Sequence, residues 1–156
     1  MNDFSTLLQA CERQESLYQF DRFTREDALK LGLKLNENAE KYPEGVAIEI
    51  TINGLSVFRY LPEGANAHNA AWLNRKINTV TRFEMSSLRL MAKFEVNGLN
   101  CESEKIDPDS VALGGGGFPL ILRGTGVVGV IAVSGLPHMD DHQLIVDTLA
   151  EYISNK

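Results

Sequence analysis

A chain of 156 residues with 44% hydrophobic and 23% charged side chains has the make-up of one globular domain over residues 1–156, large enough to bury a core without disulfides or metals. Its 21 acidic residues outnumber 15 basic ones, and the net charge of −6 opposes the polyanion binding that a nucleic-acid partner would require. The opening MNDFSTLLQACERQ has charges where a signal peptide would be apolar, and no apolar run approaches the roughly 18 residues that span a bilayer, so a cytoplasmic protein without membrane partners is expected.

Residues 3 to 18 place Phe4, Leu7, Leu8, Cys11 and Leu17 at near-helical spacing. Cys11 and Cys101 stand far apart without a CxxC arrangement, and two reduced thiols are expected. From Leu17 to Phe23 apolar and polar residues alternate, as in a short strand. Thr24 then opens a helix, with Asp27 in the acidic position of a capping box, and Tyr42-Pro43 closes it.

Residues 46 to 60 form the clearest hairpin, with Asn53-Gly54 as a two-residue loop. Alternation pairs Ile52 with Leu55, Ile50 with Val57 and Ile48 with Arg59 on one face. Thr51 with Ser56, Glu49 with Phe58 and Ala47 with Tyr60 share the other. A long helical pattern follows from Asn66 to Phe94, with a kink expected near Ser86-Ser87. Residues 97 to 110 are turn-rich and acidic, and read as loop.

Phe118 to Arg123 and Val127 to Ser134 are apolar at nearly every position, which predicts two central strands covered on both faces. The link between them is either a Gly-Thr II′ turn or a three-residue loop. Pro119 belongs at a strand start or a bulge, since it lacks a ladder donor. A last helix is expected from Asp140 to Ile153, capped by Asp140 and Gln143. The element order is α-β-α-β-β-α-β-β-α, with a mostly antiparallel sheet of about five strands flanked by helices, an α/β (α+β) fold.

Several motifs have a functional and a structural reading. Gly124, Gly126 and Gly129 spell G-x-G-x-x-G, but the motif runs into a strand, whereas a dinucleotide site needs it to open a helix. Gly114 to Gly117 either cradle a ligand with backbone N–H groups or let the chain pass close to another element. His138 and His142 are four residues apart with carboxylates between them. The proline before His138 and the expected cap after it argue against a shared helix face, and no metal site is assigned. Asn69, Trp72 and Lys76 share a face of the long helix with Arg75 beside them. They form either an aromatic anchor covered by its basic neighbours or a cationic, aromatic wall for an acidic ligand. Neither cysteine lies in a catalytic motif and no serine-centred elbow is visible, so no catalytic residue is assigned.

The stretch GGGGFPLILRGTGVVGVIAVSGLPHMDDH resembles the haem-degrading domain family, which includes GlcG-like proteins and extracellular haem-binding sensors. Gly116, Gly117, Pro119, Gly126, Val128, Gly129, Val133, Ser134 and Gly135 match its pattern, with a one-residue spacer at Phe118. Trp72, Arg75, Lys76, the run Arg123 to Gly129, Ser134 to Pro137, and Asp141-His142 are similar to an uncharacterised cytoplasmic branch of it. The resemblance implies a three-layer, profilin-like α/β/α fold, a homo-oligomer, and haem or a related small molecule as ligand.

The reading that combines these observations is a non-catalytic homo-oligomeric module that binds a small anionic or planar ligand. Its site would comprise Trp72, Arg75, Lys76, Gly115, Gly116, Gly117, Phe118 and His142. The alternatives are a haem-binding or haem-degrading enzyme, and a structural assembly or adaptor protein.

Overall fold

Asn53 and Gly54 both adopt positive φ, 50° and 80°, the backbone that a two-residue hairpin turn demands. They join β1 (Ala47–Ile52) to β2 (Leu55–Tyr60). In the computed structural model, which describes residues 3–155, this hairpin forms half of a four-stranded antiparallel sheet. The other half is β3 (Gly117–Leu122) and β4 (Gly126–Ser134), in the order β2-β1-β4-β3. Five α-helices complete the described chain: α1 (Asp3–Leu17), α2 (Arg25–Ala39), α3 (Ala67–Phe83), α4 (Ser87–Asn97) and α5 (His138–Ser154). None of them is long and apolar enough to cross a membrane.

The sheet is covered on both faces, giving the expected three layers. Ile48, Ile50, Phe118, Leu120, Ile131 and Val133 point into a core shared with Leu31 and Leu35 of α2 and Ile145 and Leu149 of α5. Ala47, Val130 and Ala132 point the other way, onto Leu73 and Val80 of α3. This two-sided burial is what the unbroken apolar runs of β3 and β4 signalled. The helix α4 packs with α1 beside the β3 edge.

The structure corrects five sequence expectations. The alternating segment from Leu17 to Phe23 is not a fifth strand, because α1 runs through Leu17 and Phe20 alone bridges Leu122. Phe20, Phe23 and Tyr152 satisfy the same alternation by clustering their rings, with Phe20 and Phe23 4.8 Å apart. The hairpin pairs Ile52 with Leu55 and Thr51 with Ser56, then slips. Ile50 faces Phe58 and Glu49 faces Arg59, so two residues, Val57 and Phe58, share one opposing partner. Both pack against the α2 side of the core, which alternation would have denied to one of them.

The long helix is two helices. Glu84 takes a left-handed φ of 56° and ends α3, and Ser86 caps α4. β3 is an edge strand, not a central one. Pro119 is tolerated there for that reason: its neighbours two residues away find partners outside the β3–β4 ladder, Gly117 N on Ser87 Oγ and Ile121 O on Phe20 N. Finally, α5 starts at His138 rather than Asp140, after Pro137, and no side chain caps it. Of the two turns considered between β3 and β4, the three-residue loop is the one formed. Leu122 pairs with Gly126 around Arg123, Gly124 and Thr125.

Candidate functional site

The helices α3 and α5 lie on opposite faces of the sheet, yet their N-terminal halves meet where β4 ends and β3 begins. Asn66 starts α3 with a full capping box, its side chain accepting from His68 N and Asn69 N. From there His68, Asn69, Trp72 and Lys76 succeed one another at helical spacing on one face. The loop before β3 has to pass between the two helices, and glycine is what lets it. A Cβ on Gly115 would fall on His138 O and 2.8 Å from His142 Cβ. One on Gly117 would lie 3.0 Å from Val80 Cγ2.

A cavity of about 420 Å³ opens at this junction. Its wall comes from His68, Asn69, Trp72 and Lys76 of α3, Ala112 to Gly115, Ser134 to Leu136, and His138 and Asp141 of α5. His68 and His138 are exposed, whereas Lys76 and Asp141 are buried. Lys76 reaches across the end of the sheet. Its Nζ donates to Val133 O at 2.7 Å and to Asp141 Oδ2 at 3.0 Å, and the other carboxylate oxygen accepts from Leu136 N at 3.1 Å. Gly116 makes this reach possible, because a Cβ on it would collide with Nζ.

Burial dominates the electrostatics of the pair. Desolvation pushes the Asp141 carboxyl up to about 6, even though the Lys76 charge and hydrogen bonds oppose it. The Lys76 ammonium is lowered by burial and only partly restored by Asp141. The site therefore holds an ion pair whose two members are both pushed toward their neutral forms.

Trp72, Lys76 and Gly115 line the cavity, and the other residues singled out in the sequence lie around it. Arg75 stacks over Trp72, its guanidinium carbon 4.0 Å from the ring, while Nε donates to Val111 O at 2.8 Å and Nη2 to Pro108 O at 2.9 Å. It clamps the incoming loop and the aromatic wall together. Gly116 and Gly117 are close-approach positions, and Phe118 is fully buried in the core. His142 is buried against Phe118, with ring centroids 5.9 Å apart, and meets Gln14 Oε1 at 2.7 Å through Nε2. Its Nδ1 has no hydrogen-bond partner among the described residues. Burial, assisted by the neighbouring His138, lowers its pKa to about 4.

The site expected from the sequence did not include His68, Asn69, Ser134, His138 or Asp141, although Asn69 shares the Trp72 face and Ser134 and Asp141 belong to the motifs that carry the resemblance. His68 stands one turn before Trp72 on the same face, a signal that was available. The pairing of Asp141 with Lys76 had no sequence signal, since the two lie 65 residues apart.

Fold and site together define a three-layer α/β/α domain with a cavity at one end of its sheet, its largely apolar wall carrying Trp72 and a few placed polar groups. The chain belongs to the HbpS-like family: residues 23–150 match the family described as haem degrading protein HbpS-like. UPF0303 protein SCO2848 of Streptomyces coelicolor is 40% identical over 143 residues, covering 91% of this chain and 90% of that one. The crystal structure of Ybr137w protein superposes with a TM-score of 0.87 at 28% identity, over 95% of this chain and 88% of that one. The PduOC:Heme complex shares the fold, with a TM-score of 0.68 at 18% identity, over 82% of this chain and 93% of that one.

Proposed function

We propose that this chain is a cytoplasmic, homo-oligomeric module that binds a small anionic or planar ligand without turning it over. The observation that carries the reading is the make-up of one wall. Trp72 and the buried Lys76–Asp141 pair, from helices on opposite faces of the sheet, border the same 420 Å³ space. That volume lies within the range of small-molecule sites, which pair apolar or aromatic surface with a few placed polar groups. Trp72 supplies the flat surface. The first turn of α5 borders the space through His138 and has no side-chain cap; its Asp140 and Asp141 N–H groups bond to Pro137 O, which leaves the leading end of the helix as the part suited to an anionic substituent.

Self-association is supported on a different face. Leu29 and Leu33 of α2 are 50% and 56% exposed, and Leu55 and Tyr60 of the edge strand β2 are 51% and 46% exposed. A light-scattering mass above that of one chain is expected; a monomeric mass would refute the oligomer. Binding is tested by thermal unfolding against a panel of planar carboxylates and phosphates. A ligand at a hundred times its Kd should stabilise the wild type by about 2.7 kcal/mol, and Trp72→Ala should lose most of that shift.

Haem is the second reading, favoured by the family description and by the haem complex of the PduOC neighbour. The histidines of the cavity, as placed, do not fit iron ligation. His138 Nδ1 accepts from Gly115 N at 3.1 Å and His68 Nε2 accepts from Trp72 Nε1 at 3.2 Å, so the lone pair of each neutral imidazole is already engaged. A ligating histidine donates with its second nitrogen instead. A hemin titration separates the readings: no Soret shift at micromolar protein removes haem and leaves the small-ligand reading in place.

A further inference from the structure

Lys76 is 5% exposed, yet it lines the cavity together with Asp141 rather than sitting in the sealed core. Its Nζ is held by Val133 O and by Asp141 Oδ2, in space that a Cβ on Gly116 would fill. A tether between α3 and α5 would work equally well away from any cavity. What this position adds is an amine with a carboxyl group at hydrogen-bonding distance, beside a space with an aromatic wall. An aldehyde bonds to such an amine with water as the only group released and with no co-reactant. We propose that Lys76 captures a small planar aldehyde in this cavity as an imine, with Asp141 carrying the proton. The proposal rests on the ligand-binding reading above, and it names the class of ligand and the bond that would hold it.

The step balances within the pair. The ammonium of Lys76 passes a proton to the Asp141 carboxylate, leaving a neutral amine beside a carboxylic acid. Nζ adds to the carbonyl carbon while the carbonyl oxygen takes that proton, and Asp141 then removes one from nitrogen. The resulting carbinolamine hydroxyl is protonated by Asp141 and leaves as water, and a protonated imine remains paired with the carboxylate. No electrons are gained or lost. The net change is one aldehyde bound and one water released. Burial supports the first transfer, since it lowers the Lys76 pKa and raises that of Asp141, bringing the two forms of the pair closer in energy.

Pyridoxal 5′-phosphate is a suitable probe, being planar, anionic and an aldehyde; its alcohol, pyridoxine 5′-phosphate, can fill the same space but form no imine. The full chain is mixed with limiting pyridoxal 5′-phosphate, reduced with borohydride and mapped by peptide mass. Lys76 should be modified faster than the exposed Lys30, Lys41, Lys93 and Lys105, and should be the main site labelled at limiting aldehyde. Excess pyridoxine 5′-phosphate should protect it. Lys76→Arg keeps a cation against Asp141 and should abolish the adduct, with folding checked by circular dichroism. Asp141→Asn keeps the amine and should slow its formation. Labelling spread over the exposed lysines and unchanged in Lys76→Arg would overturn the proposal. Stabilisation by the alcohol without any adduct at Lys76 would overturn the imine and leave the binding reading standing. Neither stabilisation nor adduct would overturn the aldehyde class altogether, and the wider panel of acids would then decide the binding reading.

Discussion

Lys76 Nζ and Asp141 Oδ2 meet at 3.0 Å across the end of the sheet, joining a helix on one face to a helix on the other. The pair holds α3, α5 and the end of β4 at one point, and it is buried while doing so. Removing one partner leaves an uncompensated charge in a low-dielectric site. Lys76→Met should destabilise the fold by about 3–5 kcal/mol, because it leaves the buried Asp141 carboxylate without its cation, and adding Asp141→Leu should recover most of that loss. Urea unfolding of the single and double variants measures this. A double variant no more stable than Lys76→Met would show that the loss does not come from the orphaned carboxylate.

His142 and Asp141 are adjacent in the chain but titrate with opposite consequences. Below 6.5 the unfolded chain protonates at His142, while the folded chain resists until about 4; its contribution is present above 6.5 and lost as pH falls through that window. Asp141 has a raised folded pKa of about 6 against 3.8, so its contribution is present at low pH and lost as pH rises through that window. The two slopes oppose each other, and the wild type should show a shallow stability profile where they overlap. His142→Gln should unmask the Asp141 slope, a fall of about 3 kcal/mol from the lower pKa to the upper. A flat profile in the variant would contradict the assignment.

Two glycines should respond differently to alanine. At Gly115 a Cβ meets the His138 carbonyl oxygen, and neither backbone can give way without moving α5. Gly115→Ala should cost about 1–3 kcal/mol or more from overpacking. Gly124 has a φ of 80° with open space around it, so Gly124→Ala should cost only about 1 kcal/mol of backbone strain. Equal losses would mean that the passage between the helices is not tight.

Glu15 anchors α1 at the break between α3 and α4. Its carboxylate accepts from Ser86 N at 3.1 Å and Arg89 Nη1 at 2.9 Å, and it is buried. Glu15→Ala leaves a buried backbone donor and a guanidinium short of partners, at about 2–3 kcal/mol. Faster hydrogen exchange at Ser86 to Leu90, with β4 unaffected, is the expected signature.

What was legible in the sequence was what short-range chemistry dictates. Thr24 and Asp27 form the capping box, with reciprocal bonds of 3.1 and 2.8 Å, and Asn53-Gly54 makes the turn. Continuous apolar runs correctly announced strands covered on both faces. The errors arose where distant residues decide. A kink was expected near Ser86-Ser87, but the full break after Glu84 leaves Ser86 N free to bond to Glu15, 71 residues earlier, and the hairpin bulge lets both Val57 and Phe58 pack on the α2 side. Gly32 shows how far that surface is adapted, because a Cβ there would strike the Phe58 ring. The site followed the same rule. Trp72 and Lys76 declared a face, but its acidic partner came from another helix in another layer.

A ligand held, as proposed, between Trp72 and the Lys76–Asp141 pair would touch groups from both sides of the sheet. Amide and indole nitrogen–proton spectra, recorded across the panel of planar acids, test that placement most directly. Any member that raises the unfolding midpoint should shift the Trp72 indole N–H and the amides of Gly114, Gly115 and Gly135, and leave the Asn53-Gly54 turn in place. A stabilising ligand that moves resonances elsewhere, or a panel in which nothing binds, would contradict it.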